Sequence, residues 1–283
     1  MIDQLTILAP GLIGGSVARA ARARHAARRI VIWARRSEVR RALADQPWCD
    51  EVAETAAGAV RTADLVIIAA PVDTVVALVR QIAPALPNGA VVSDVGSVKG
   101  QIAREGHAAL SPRAHFVGAH PMAGSEKTGW ENGSARLFEA RTCFVTPLPK
   151  TDRKALRIVT GFWKKLGAKV ATIAPGEHDE IVAHISHLPQ ILASSLCSFL
   201  AGKDPSWLKF AGGGLRDTTR IAGSDPGLWR TIIAQNKNEV RRALRKYQAE
   251  LGAYESAIAR DDWEALGRLI SRGRDCRGRL REL

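Results

Sequence analysis

From about residue 5 to residue 173, short apolar, β-branched runs alternate with longer segments in which apolar positions recur every three or four residues. Runs that are apolar throughout are what a parallel strand covered on both faces requires. The pattern predicts strands at Leu5–Leu8, Ile30–Trp33, Leu65–Ala69, Ala90–Ser93, His115–Gly118, Cys143–Thr146 and Lys169–Ile173. Helices are predicted over Leu12–Arg24, Ser37–Ala44, Val72–Ile82 and Asp152–Leu166. Alternation of this kind specifies a doubly wound parallel sheet. From Pro175 the rhythm changes. Glu177–Leu200, Leu228–Leu251 and Asp262–Leu280 read as long helices with no strand signal between them, punctuated by Pro205 and Gly212-Gly213-Gly214. The expected architecture is an α/β domain over residues 1–174 and an all-helical domain over 175–283.

A chain of 283 residues has room for two domains. Its 46% hydrophobic and 24% charged residues exclude disorder over most of the length. The longest apolar run, Leu65–Val72, is far short of the roughly 18 residues of a membrane span. Met1 leads directly into the first strand without a basic segment or cleavage site, so a cytoplasmic location is expected. Cys49, Cys143, Cys197 and Cys276 stand singly, and no metal site is expected. The 41 Lys and Arg outnumber the 28 Asp and Glu, giving +13. The excess is concentrated at Arg241, Arg242, Arg245, Lys246 and over Arg268–Arg281. Without a zinc finger, an RNP-like motif or aromatic-basic interleaving, this charge does not point to nucleic acid. A small polyanionic substrate and a phosphorylated cofactor suit it.

The first strand runs into Ala9-Pro10-Gly11-Leu12-Ile13-Gly14-Gly15-Ser16, a dinucleotide fingerprint lacking its first glycine. Gly11 lets the backbone approach a pyrophosphate, and Gly14 lets helix and strand pack closely. The start of the helix, through Leu12 and Ile13, offers free N–H groups to that anion. Ala9 is expected to keep a negative φ, since Pro10 biases it toward the extended region. The domain is therefore read as Rossmann-like. At the end of the second strand, where NAD-binding chains carry an acid for the ribose 2′-hydroxyl, the sequence is Trp33-Ala34-Arg35-Arg36-Ser37. Arg35, Arg36 and Ser37 suit a 2′-phosphate instead, so NADP is expected over NAD. Pro71 closes the buried strand that begins after Asp64, an end that lies beside the cofactor in this architecture.

Two segments fall at later strand ends: Ser93-Asp94-Val95-Gly96-Ser97-Val98-Lys99 and Gly118-Ala119-His120-Pro121-Met122-Ala123-Gly124-Ser125-Glu126. Two more lie in the helical half, His184-Ile185-Ser186-His187-Leu188-Pro189-Gln190 and Gly214-Leu215-Arg216-Asp217-Thr218-Thr219-Arg220. With the dinucleotide turn, these four segments in this order resemble the prephenate and arogenate dehydrogenases of tyrosine biosynthesis, over essentially the whole chain. The resemblance is to a minimal form, without a chorismate mutase segment or an ACT domain. It implies an oxidative decarboxylation in which hydride leaves the ring carbon bearing the hydroxyl, carbon dioxide departs and the ring becomes aromatic. It also implies roles. His120 matches the catalytic histidine, and Ser97 a serine that bonds the same hydroxyl near the nicotinamide. Arg220 matches the anchor of a substrate carboxylate in a pocket that excludes water. Asp217, three residues earlier, is expected to hold that guanidinium. Glu126, His187 and Trp229 match positions that line or gate the substrate site.

Gln190 departs from the pattern, because many prephenate-preferring members carry a histidine there. A neutral amide removes a penalty against the ammonium of arogenate. Arogenate is accordingly expected to be used at least as well as prephenate, and the large helical domain is expected to form a homodimer. A prephenate-specific enzyme using NAD stays open. So do a β-hydroxyacid dehydrogenase, for which no catalytic lysine counterpart is found, and a dinucleotide-sensing regulator, which would not need His120, Ser97 and Arg220 together.

Overall fold

In the computed structural model, which describes residues 2–110, 112–124 and 127–280, five of the apolar runs and the short segment Glu51–Val52 pair in parallel. These are β1 (Ile2–Leu8), β2 (Ala27–Trp33), β3 (Glu51–Val52), β4 (Leu65–Ile68), β5 (Val91–Asp94) and β6 (His115–Phe116), in the order β3-β2-β1-β4-β5-β6. The connections carry α1 (Leu12–Ala23), α2 (Ser37–Ala44), α3 (Ala56–Ala59), α4 (Val75–Ile82) and α5 (Gly100–Leu110). Alternate residues of the strands feed two separate cores. Leu5, Ile7, Ile30, Ile32, Leu65 and Ile67 pack on one face, and Leu8, Val31, Val66, Ile68 and Val92 on the other. Leu8 lies opposite both Trp33 and Ile68, and Ile68 opposite Asp94, so the carboxyl ends of four strands finish along one edge.

The expected single sheet is in fact two. The run His115–Gly118, read as one strand, ends at Phe116; Val117 N–H still reaches Val92, after which Gly118–Pro121 begins β7 in a different sheet. Apolar character is continuous across this point, so the pattern carried no sign of the break. β7 pairs antiparallel with β8 (Thr142–Thr146), which pairs in parallel with β9 (Lys169–Thr172) after α6 (Arg153–Lys165).

Beyond Thr172 the described residues are helical or irregular: α7 (Pro175–Val182), a π-helical turn (Ala183–His187), α8 (Leu188–Ala201), α9 (Gly213–Thr219), α10 (Pro226–Gln235), α11 (Lys237–Ala259) and α12 (Trp263–Arg279). Two predicted helices are each interrupted, the first by the π turn and the second at Asn236. The chain packs as two compact units, the first ending at Asn236 and the second starting at Lys237. In the second, α11 packs on α12 and Glu250 pairs with Arg272 at 2.5 Å. Among the described residues, no helix is long and apolar enough to cross a membrane.

Candidate active site

Ligands of open parallel sheets sit outside the carboxyl ends of the strands. At the end of β1, Gly11 caps α1 with no side-chain acceptor, which leaves the first N–H groups of a 12-residue helix for an anion. Leu12 and Ile13 occupy that first turn, half-buried. A Cβ on Gly14 would stand 2.8 Å from Cβ of Ala69, and one on Gly15 2.9 Å from the carbonyl oxygen of Trp130. Both glycines are thus required for the helix to lie this close to its neighbours. Ala9 corrects the expectation: its φ is 58°, in the left-handed region, while its N–H donates to Trp33 O at 2.8 Å. The bond to the neighbouring strand end is kept at the cost of backbone strain.

Arg35 and Arg36 are exposed at the end of β2, and Ser37 is the first residue of α2. The nearest charge to Arg36 is Glu38, 3.6 Å away. Arg40, which the sequence reading passed over, donates to the carbonyls of Ala34 and Arg35 at 3.0 and 3.1 Å and to Glu54 at 3.1 Å, so it shapes this loop. Pro71 is exposed just past β4, its carbonyl accepting the N–H of Thr74. Ser97 lies half-buried past β5, its hydroxyl making no hydrogen bond among the described residues. An uncapped helix start, two close-approach glycines and a basic strand end together fit a dinucleotide.

The chemistry-bearing groups meet where β5, β7 and α7 come together. His120, on β7, is 9% exposed, and its Nδ1 lies 2.9 Å from Nε2 of His178 on α7. His178 Nδ1 lies 2.8 Å from Oδ1 of Asp179. The Asp179 carboxylate also accepts the N–H groups of Lys99 (2.8 Å) and Gly100 (2.7 Å), at the start of α5. Met by these N–H donors, the Asp179 carboxylate serves as an acceptor. His178 therefore carries its proton on Nδ1 and accepts at Nε2, which makes His120 Nδ1 a donor. The lone pair of His120 is left on Nε2. Burial, then the neighbouring His178, Lys99 and His187, hold the His120 imidazole well below its usual pKa, so it is neutral near pH 7.

Lys99 and Asp94 form a fully buried ion pair beneath this chain. Asp94 also accepts from Gly96 N–H (2.8 Å) and Ala119 N–H (3.3 Å), the latter next to His120. Burial lowers the Lys99 ammonium, and Asp94 opposes that shift. Sequence reasoning missed His178, Asp179 and Asn236, and it quoted Asp94 and Lys99 within a strand-end segment without giving them a role. The one available signal was an adjacent His-Asp pair a few residues after Pro175 at a helix start.

His187 closes the π turn, 1% exposed, with its ring edge-on to Trp229 of α10 at 5.9 Å between centroids. Burial pushes its pKa down to about 4. Gln190, one turn on and 4% exposed, donates from Nε2 to Ser194 Oγ at 3.2 Å. His187 thus packs against Trp229 and is close enough to His120 to act on it electrostatically. Asp217 lies at the end of α9 and Arg220 just past it, a stretch that packs on α8. Both are exposed and no ion pair joins them, which corrects the expectation that Asp217 holds Arg220 in a water-excluding pocket. Asp217 lies in the last turn of α9 and Arg220 follows it, and two solvated side chains on one helix face gain too little from pairing for the spacing alone to impose an ion pair. Glu126 lies outside the described residues.

Two family models match the chain: "Prephenate dehydrogenase, nucleotide-binding domain" over residues 17–172 and "Prephenate dehydrogenase, dimerization domain" over 174–272. Prephenate dehydrogenase of Bacillus subtilis is 33% identical over 99% of this chain and 76% of its own length. Cyclohexadienyl dehydrogenase of Zymomonas mobilis is 30% identical over 94% of this chain and 92% of its own. The crystal structure of prephenate dehydrogenase from Aquifex aeolicus, in complex with hydroxyphenyl propionate and NAD+, superposes with a TM-score of 0.93 at 31% identity, covering 99% of both chains.

Proposed function

Since the chain belongs to the prephenate dehydrogenase family, we propose that it oxidises and decarboxylates cyclohexadienyl substrates with NADP, taking arogenate at least as well as prephenate. The observation that carries this reading is the buried chain from Asp179 through His178 to His120, which leaves one neutral imidazole with a free lone pair. Bound nicotinamide supplies the hydride acceptor; Gly11, Leu12, Ile13 and Gly14 would hold its pyrophosphate, Arg35, Arg36 and Ser37 the 2′-phosphate, and Pro71 and Ser97 its inner end. As hydride leaves the substrate carbinol carbon, His120 Nε2 takes the hydroxyl proton. His178 and the Asp179 carboxylate stabilise the resulting imidazolium. Breaking the bond to the ring carboxylate then sends its electron pair through the ring to the oxygen. That oxygen recovers the proton from His120, leaving a phenol and carbon dioxide.

Ser97 donates to the same oxygen, and Arg220 anchors a substrate carboxylate. Glu126, Asp217, His187, Gln190 and Trp229 complete the substrate side. The support for arogenate is that Gln190 is a neutral amide that spends one N–H on Ser194 and keeps its C=O to accept from an ammonium. The support for NADP is the absence of any carboxylate among residues 34–37. We assign residues 1–174 to the dinucleotide and 175–283 to substrate and dimerisation. Phe199, Trp207, Phe210, Ile258, Trp263 and Ile270 are exposed on the single chain, and all fall within the stretch matched by the dimerization model. Four unpaired cysteines suit a reducing, cytoplasmic setting.

The test is kcat/KM for prephenate and arogenate, each with NADP and NAD, on the unmodified chain and on His120→Asn. Turnover of both substrates is expected, with the variant's kcat lower by about 10² to 10⁴ and cofactor affinity unchanged. No turnover of either substrate, or a loss of less than about fivefold in the variant, removes the reading.

A further inference from the structure

Asn236 follows α10, is 4% exposed, and turns its amide toward two acceptors. Nδ2 donates to the carbonyl oxygen of Asp179 at 2.8 Å and faces His187 Nδ1 at 3.2 Å. A carbonyl oxygen only accepts, so the amide nitrogen, with its two hydrogens, must point this way. His187 Nδ1 therefore receives the second hydrogen and is the unprotonated nitrogen of its ring. The ring proton is on Nε2, which is buried and has no partner among the described residues. A buried donor without an acceptor is unfavourable, and substrate oxygens are the groups this site would bring to it.

We propose that Asn236 is a positioning residue that locks His187 in the tautomer presenting Nε2–H to a keto or carboxylate oxygen of the substrate. The proposal rests on the dehydrogenase reading for the identity of that oxygen. Its structural logic is a pair of opposed polarities. His120 offers a lone pair at Nε2, and His187 offers a proton at the same atom of its own ring. Both are set from Asp179, through its carboxylate to His178 and through its backbone carbonyl to Asn236. The titratable groups coupled to His187 are Asp179 and His178 on α7 and His120 on β7.

The tautomer is read by nitrogen NMR of the histidine rings in the full chain at pH 7, the His187 signals being identified by their loss in His187→Gln. A protonated Nε2 and a bare Nδ1 are expected, with the Nε2–H signal moving when hydroxyphenyl propionate is added. A proton on Nδ1 overturns the proposal, and so does an Nε2–H signal indifferent to that ligand. In Asn236→Asp the side chain can only accept, so it draws a proton onto Nδ1. Substrate KM is then expected to rise about tenfold or more while kcat changes less than about threefold. Unchanged KM in a folded variant that shows the shifted tautomer also overturns it. If Asn236→Asp does not fold, the measurement on the unmodified chain decides alone. Because the tautomer is observed without turnover, failure of the dehydrogenase assay would sink the functional reading and leave this result standing.

Discussion

Ala9 occupies the place where a dinucleotide turn ordinarily has glycine, and at φ 58° it adopts the conformation that glycine would adopt freely. A left-handed non-glycine residue costs about 1–2 kcal/mol, of which glycine's greater freedom in the unfolded chain returns about half. Ala9→Gly is therefore expected to raise the unfolding free energy by about 0.5–1 kcal/mol in urea titrations; a lower midpoint would show that the strain is relieved elsewhere. The sequence could not reveal this φ, because it is imposed by the bond from Ala9 N–H to Trp33 on the adjacent strand. Gly14 was legible, since a small residue at a fixed offset after a strand has one geometric use. His120 was legible through its motif. Its partner His178 was not, because 58 residues separate them and no local periodicity marks a contact of that range.

On the proposed NADP reading, cofactor choice turns on the loop from β2 into α2. Arg35 and Arg36 stand exposed there, with only the 3.6 Å contact to Glu38 competing for the latter. Arg35→Asp is expected to weaken NADP by at least about 2 kcal/mol, through lost pairing and new repulsion, with much less effect on NAD. Comparable Kd changes for the two cofactors, measured by fluorescence titration, would mean that this loop does not read the 2′-phosphate. Elements themselves were readable to different degrees. Strands β1, β2, β4 and β5 were foreseen because burial on both faces demands unbroken apolar runs. The two-residue β3 is too short to leave a pattern, and the step from β6 to β7 falls within a single apolar run. The π turn before α8 has one sign in the sequence, Pro189 two residues past it, which lacks the N–H that an unbroken helix would donate to Ile185.

At the scale of the whole molecule, three histidines, His120, His178 and His187, are held neutral by burial. Their folded pKa values lie below the unfolded value of about 6.5, so stability is complete above that pH and falls as the unfolded chain takes up protons first. His187 alone, with a folded pKa of about 4, is expected to remove about 3 kcal/mol between pH 6.5 and pH 4. Urea unfolding at pH 7 and pH 5 checks this, and equal stability at the two would contradict the buried neutral state. The bonds around Asp179 carry one more consequence. They join the start of α5 and the strand bearing His120 to residues 178–236, so the contacts that aim the protons are also the seam of the first compact unit. A gene fragment ending near residue 174 would lose that seam along with the chemistry. Substitution at Asp179 would likewise loosen the molecule, and tolerated variation should accumulate on exposed loops such as the one bearing Arg35 and Arg36, while the seam stays fixed.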